Sequence, residues 1–243
     1  MSTGTIPVVQ PEPQPAGEAR RTAELEASQS LAHRYAELAH TFEPRPVDAV
    51  LRGFDIVISG LILLVFSPLI AVLALAVLLT SGRPILYQGA RVGRAGRTFH
   101  MYKLRTLRPD AEARLGPYQA TELDRRTLQE VTRLGALLRA SQLDELPQLW
   151  NVLRGEMSLV GPRPERPEFV AELEGRIPFY RARLLVKPGI TGWAQIKFRY
   201  GSSTDDALVK LQYDLYYVKH RSLVLDALIL AKTIGVVVRL GGT

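Results

Sequence analysis

From Ile56 to Gly82 the chain carries no charged residue, and nothing else in it restricts the fold as strongly. Wound as a helix, a stretch of that length crosses a hydrocarbon core, which takes about 20 residues. It starts too deep in the chain for a secretion signal and lacks the small-residue cleavage pattern behind a short apolar region. Two details argue against an ordinary span. Ser67 and Pro68 fall near its middle, and proline removes a backbone donor and crowds the preceding turn, so a kink or break is expected there. Arg45 and Arg52 precede the run, while Arg83, Arg91, Arg94, Arg97, Lys103, Arg105 and Arg108 follow it with no acid until Asp110. The positive-inside bias therefore asks for both ends on the cytoplasmic side. A re-entrant helix-break-helix that enters one leaflet and returns meets both conditions, with the Ser67 hydroxyl available to a carbonyl that Pro68 frees. A kinked span is the main alternative, and a buried helix of a soluble protein is a more distant one.

At 243 residues, 47% hydrophobic and 23% charged, the chain is long enough for one sizeable core carrying appendages. It contains no cysteine, which excludes disulfides, thiolate metal sites and cysteine nucleophiles, and nothing in it requires an oxidising compartment. The net charge of +7 points to an anionic partner: nucleic acid, anionic lipid or a phosphate-rich substrate. The basic block directly follows the apolar run and lacks interleaved stacking aromatics, which speaks against nucleic acid.

Four regions are expected. Residues 1–17, rich in proline and polar groups, read as a disordered tail, and 18–45 as an amphipathic helix with Leu25, Leu31, Tyr35, Leu38 and Phe42 on one face. Residues 46–82 form the re-entrant membrane anchor, and 83–243 a cytoplasmic catalytic domain. Within that domain, Pro84 to Leu107 reads as a β-hairpin turning near Gly93 and Gly96. Ala111 to Arg139 reads as helical, and Asp205 to His220 and Ser222 to Leu240 as two further helices. In the last of these, Asp226, Lys232 and Arg239 interrupt an apolar face, which favours a helix lying at the membrane interface over a second span. The fold class is accordingly α+β and mostly helical: a membrane-anchored single domain with a re-entrant helix-break-helix, a small β-hairpin and interfacial amphipathic helices.

The stretch SQLDELPQLWNVLRGEMSLVGPRP, Ser141 to Pro164, carries the chemistry. Leu146, Leu149, Trp150 and Leu153 recur at helical spacing, Gly155 supplies a stop, and Pro147 is tolerated only in a first turn. The helix is thus expected to start near Asp144 or Glu145. Taken alone, Asp144 as N-cap and Glu145 as dipole partner would account for both acids. A helix start also welcomes phosphate, and two carboxylates there divide labour, one as nucleophile on phosphorus and one as Mg²⁺ ligand. Attack by a carboxylate on an anionic phosphate needs cations. Arg163 between Pro162 and Pro164 offers a guanidinium fork in a stiff turn, with Arg139, Lys103 and Arg105 as further candidates.

The segments MYKLRTL, LDELPQLWNVLRGEMSLVGPRPE and VKPGITGWAQI, in that order, resemble the signature blocks of the bacterial sugar transferase family, the monotopic polyprenyl-phosphate phosphoglycosyltransferases. The resemblance runs from about Leu51 to Leu240 and includes the Arg52, Phe54, Asp55 opening and the Ser67–Pro68 break. Leu104 stands where the family usually has phenylalanine. No apolar span occurs in Met1 to Arg45, which resembles a compact form of the family. The resemblance implies transfer of a phosphosugar from a UDP-sugar to undecaprenyl phosphate with release of UMP, at the cytoplasmic face of a bacterial inner membrane. It implies Asp144 as the residue that becomes covalently phosphoglycosylated, Glu145 as the Mg²⁺ ligand, and Lys103, Arg105, Arg139 and Arg163 as the phosphate-binding residues. Expected partners are the UDP-sugar, undecaprenyl phosphate, membrane lipids, a second copy of the chain as a homodimer and the downstream glycosyltransferases, and no nucleic acid. A catalytically idle membrane scaffold for glycan assembly is the alternative.

Overall fold

The computed structural model describes residues 45–111, 114, 126–198 and 204–238. The tail expected over 1–17 and all but the last residue of the amphipathic helix expected over 18–45 lie outside the described residues, as do 112–113, 115–125, 199–203 and 239–243.

The apolar run is one helix, α1, Pro46–Ser81, with Pro46 in its first turn and Gly82 closing it at φ +72°. The helix continues through Ser67 and Pro68 rather than splitting in two. The reason is local: the carbonyl that Pro68 would have bonded belongs to Leu64, and Ser67 Oγ donates to it at 2.9 Å. Leu64, Val65, Phe66 and Val72 around this point are exposed, whereas the two flanks are packed. Phe54, Ile58, Ile62 and Leu63 sit on the main core. Leu73, Ala74 and Val77 pack with Leu104 and Leu138 in a second cluster.

The hairpin forms as its sequence predicts. β1, Leu86–Val92, pairs antiparallel with β2, Thr98–Leu104, placing Tyr87 opposite Lys103 and Arg91 opposite Phe99. Helix α2, Arg133–Ala140, is capped by Thr132, whose hydroxyl accepts from Gly135 N–H at 2.9 Å. Helix α3, Gln148–Arg154, ends at Gly155 with φ +82°, the left-handed stop anticipated for it. Its start differs from expectation. Leu143–Glu145 is a separate 3₁₀ turn, and Pro147 immediately precedes the first α-helical residue. Asp144 is therefore not the N-cap of α3.

β3, Ser158–Val160, and β4, Gly189–Thr191, run parallel and register Ser158 on Gly189 and Val160 on Thr191. A Cβ on Gly189 would meet Gly161 N at 2.1 Å, so this backbone crossing requires glycine. Helices α4, Pro167–Arg176, α5, Trp193–Lys197, α6, Thr204–His220, and α7, Leu223–Val238, complete the body. The core joins Phe99 and Met101 of β2, Leu149 and Val152 of α3, Leu159 and Val160 of β3, and Tyr217, Val218 and Ile229 of the C-terminal helices. Asp226, read from sequence as interrupting an interfacial face, turns inward instead. It is buried and accepts from Tyr217 Oη at 2.9 Å.

Three arginine or amide clamps fasten α1 and α3 to this body. Arg52 donates to the C-terminal carbonyls of α3, Val152 and Leu153, at 2.6 and 2.8 Å. Arg105 donates to Ser81 O, to Gly82 O at 2.8 Å and to Arg83 O at 2.9 Å, where α1 ends. Asn151, with no solvent exposure, accepts from Tyr102 N–H at 3.0 Å and donates to His100 O at 2.7 Å and Glu156 Oε2 at 2.7 Å. Asp55 of α1 accepts from Ser158 Oγ at 3.0 Å and Leu159 N–H at 2.9 Å. Removing the Asn151 amide strands two partly buried backbone groups, Tyr102 N–H and His100 O, each costing about 1–3 kcal/mol. Asn151→Ala is therefore expected to lower unfolding stability by about 3 kcal/mol, read as a drop in the denaturant midpoint at unchanged slope.

Candidate active site

Lys103 leaves β2 next to Tyr102, the residue whose amide Asn151 holds, and meets the 3₁₀ turn of Leu143–Glu145. Its Nζ lies 2.5 Å from Glu145 Oε1. Arg163, on the loop after β3, brings Nη2 to 3.7 Å from the same oxygen while its side chain stays half exposed. Gln142, in the left-handed region at φ +56°, turns the chain out of α2 and into the 3₁₀ turn. That turn sets the two carboxylates side by side between the hairpin and the Arg163 loop.

The neighbours titrate in opposite directions. Burial pushes the Asp144 carboxyl up to about 6, with Glu145 adding to the rise and Lys103 and Arg139 opposing it. Glu145 is also opposed by burial, yet Lys103 and then Arg163 outweigh it and hold the group below the ordinary glutamate value. Burial lowers the Lys103 ammonium, against the pull of Glu145. The result is one carboxylate held charged by two cations and one adjacent carboxylate with raised basicity. This separation of two neighbouring acids is the arrangement that assigns different jobs to chemically similar groups.

Of the residues singled out from sequence, Asp144, Glu145, Lys103 and Arg163 come together. Arg139 stands beside them, its Nε donating to Thr106 Oγ1 at 3.0 Å and its charge acting on Asp144. Arg105 does not join them through its guanidinium, whose two Nη atoms are spent on the carbonyls at the end of α1. Its place in the basic hairpin and the family resemblance both group Arg105 with the phosphate cations; only the long-range contacts reveal its other partners. Sequence reasoning also missed Asn151 and Arg183. Both are polar residues in segments whose apolar spacing looks like plain core, and neither has a local signal.

The donor set fits a divalent metal of the magnesium kind. Such an ion takes one or two carboxylates and fills its remaining positions with water and substrate phosphate oxygens. Among the described residues no group of three or more metal-ligating side chains stands together, so Glu145, whose Oε1 Lys103 and Arg163 both approach, with Asp144 next to it in the chain, would hold such an ion.

Comparison with known proteins follows the same lines. The model of the family described as bacterial sugar transferase matches residues 47–240. The UDP-N-acetylgalactosamine-undecaprenyl-phosphate N-acetylgalactosaminephosphotransferase of Aeromonas hydrophila is 42% identical over 205 residues, covering 84% of this chain and 47% of the relative. The undecaprenyl-phosphate glucose phosphotransferase of Komagataeibacter xylinus is 42% identical over 188 residues, 75% of this chain and 35% of the relative. The UDP-glucose:undecaprenyl-phosphate glucose-1-phosphate transferase of Caulobacter vibrioides is 41% identical over 192 residues, 77% of this chain and 69% of the relative. The chain thus spans less than half the length of the first two. The matched range spans the hairpin, the paired acids and the Arg163 loop, and the chain belongs to the bacterial sugar transferase family.

Proposed function

We propose that the protein transfers a sugar-1-phosphate from a UDP-sugar to undecaprenyl phosphate through a covalent intermediate on Asp144. The observation that carries this reading is the convergence of Lys103 Nζ, at 2.5 Å, and Arg163 Nη2, at 3.7 Å, on Glu145 Oε1 beside a buried Asp144 whose carboxyl burial pushes up to about 6. A carboxylate of that basicity is largely ionised at neutral pH and is a better nucleophile than an ordinary aspartate.

The transfer runs in two displacements. Asp144 attacks the sugar-linked phosphorus, a new oxygen–phosphorus bond forms to the carboxylate, and the bond to the bridging oxygen breaks, with UMP leaving on its electron pair. Arg163 and Lys103 face the oxygens on which charge accumulates. A phosphate oxygen of undecaprenyl phosphate then attacks the same phosphorus, and the Asp144 carboxylate is regenerated as leaving group. Mg²⁺ held by Glu145 would supply further neutralisation of phosphate charge. Arg139 restrains the electrostatics around Asp144, and Arg105 serves by fixing the anchor helix to the strand that carries Lys103.

The lipid acceptor requires the site to sit at headgroup height. Helix α1 has a mean hydropathy of 3.0 in its most apolar window, only 6% of which is buried, so most of the apolar surface of that window is uncovered among the described residues. Both of its ends are tied to the same folded body. Asp48 near the start pairs with Arg221 at 2.6 Å, and the carbonyls at the end are held by Arg105. A helix whose two ends return to one body while its exposed middle is apolar suits a re-entrant anchor bent at Ser67–Pro68, with the body on the cytoplasmic face of the inner membrane.

Two outcomes test the reading. Purified protein with undecaprenyl phosphate, Mg²⁺ and a panel of UDP-sugars is expected to release UMP from at least one donor, and Asp144→Asn to lower that rate by about 10³-fold or more. The acid limb of the wild-type rate is expected to reach half its plateau near pH 6, where Asp144 gains its proton. The same substitution separates catalysis from stability. A carboxyl whose folded value lies near 6 against an ordinary 3.8 favours the fold while protonated, and that contribution is lost as pH rises through about 6. Asp144→Asn is therefore expected to keep or raise Tm at pH 7.5. Full activity in the variant, or loss of activity with a collapsed Tm, would contradict the assignment.

A further inference from the structure

The loop that carries Arg163 is held from beneath at three successive backbone groups. Gly161 N–H donates to Thr191 O at 2.9 Å, and Gly189 N–H donates to Pro162 O at 3.0 Å. The third bond comes from a side chain: Arg183 Nη2 donates to the carbonyl of Arg163 itself at 2.8 Å. Pro162 and Pro164 stiffen the loop, but neither proline fixes the tilt of the peptide that bears this carbonyl. A held carbonyl does.

Arg183 is itself strongly constrained. It lies in the 3₁₀ turn Tyr180–Leu185 and is 6% exposed. Its Nη2 is 2.9 Å from Asp214 Oδ2 of α6, its Nη1 donates to Tyr180 Oη at 2.7 Å, and Glu165 Oε1 stands 4.0 Å from Nη1. Its Nε is buried without a hydrogen-bond partner. A buried donor left unmet is costly, so the guanidinium is oriented by its Nη contacts and not by the satisfaction of every donor. A buried ion pair is weak evidence of added stability, which makes geometry the better account of what this one supplies. The residue it aligns has the opposite character: the Arg163 side chain is half exposed, and its guanidinium stops 3.7 Å short of Glu145.

We infer that Arg183, fixed by Asp214, is a positioning residue for Arg163: through the Arg163 carbonyl it sets the angle at which that guanidinium faces Glu145 and the substrate phosphates. The inference rests on the reading of Asp144, Glu145 and Arg163 as the phosphosugar-transfer centre. Arg183 touches no reacting atom. Its influence travels through one peptide group.

A double-mutant cycle in the full chain tests it, with UMP release measured for wild type, Arg183→Lys, Arg163→Ala and the double variant. Lysine keeps the charge opposite Asp214 but lacks the planar fork whose Nη1 donates to Tyr180 Oη and so sets the direction in which Nη2 meets Asp214 and the Arg163 carbonyl. Arg183→Lys is expected to lower kcat/KM about tenfold, the equivalent of one charged hydrogen bond, with Tm shifted by no more than a few degrees. In the Arg163→Ala background it is expected to change kcat/KM less than about twofold, because the residue it aligns is gone. An equal loss in both backgrounds, or an unaffected Arg183→Lys, would overturn the inference. Should Arg183→Lys fail to fold, Tyr180→Phe, which removes one acceptor and leaves the ring in place, enters the same cycle with an expected loss of about threefold. If the wild type releases no UMP with any donor, the transfer reading falls. The positioning inference is then judged on UDP affinity by titration calorimetry across the same four proteins, where equal losses in both backgrounds would again overturn it.

Discussion

The side chain of Asn151 is the contact on which the rest depends. Fully buried, it meets Tyr102 N–H and His100 O on β2 and thereby docks α3 against the hairpin. Each group left unmet there would cost about 1–3 kcal/mol, so these bonds fix the register between strand and helix. Lys103 follows Tyr102 directly and Glu145 lies on the turn that leads into α3, so this register delivers the ammonium to 2.5 Å from the carboxylate. Arg52 and Asp55 extend the same docking to α1, one gripping the end of α3 and the other the start of β3.

Within this frame a single short turn separates two acids by environment and not by chemistry. Lys103 and Arg163 converge on Glu145, which stays charged despite burial, while Asp144 is pushed up to about 6 mainly by its removal from water. Adjacent carboxylates in one peptide would ordinarily titrate as near equals. Their divergence needs a hairpin lysine, a loop arginine and a turn that is not yet a helix, all brought to one place.

Much of the fold is legible because it is periodic or punctuated. The hairpin follows from β-prone runs around Gly93 and Gly96, the end of α3 from Gly155, and the two C-terminal helices from apolar spacing. The paired acids and Arg163 were also readable, since short-range context marks them. What was not readable is every contact set by distant partners. Pro147 suggested a helix beginning near Asp144, but a 3₁₀ turn intervenes, because Glu145 N–H bonds back to Gln142 O and Leu146 N–H to Leu143 O. Arg105 looked like a phosphate ligand beside Lys103, yet its partners lie more than twenty residues away at the end of α1. Asp226 looked interfacial and is held by Tyr217. In each case the local pattern was correct and the long-range partner decided the role.

On the proposed transfer, helix α1 and the Leu143–Glu145 turn meet in one requirement, that a lipid phosphate and a soluble nucleotide sugar reach the same carboxylate in turn. The central claim is covalent participation of Asp144. The most direct measurement is mass spectrometry of the wild-type protein mixed with its UDP-sugar and Mg²⁺ in the absence of undecaprenyl phosphate. A stoichiometric burst of UMP, with one added sugar phosphate mapped to the peptide containing Asp144, is the predicted result. UMP release with unmodified protein, or an adduct mapped to another residue, would contradict it.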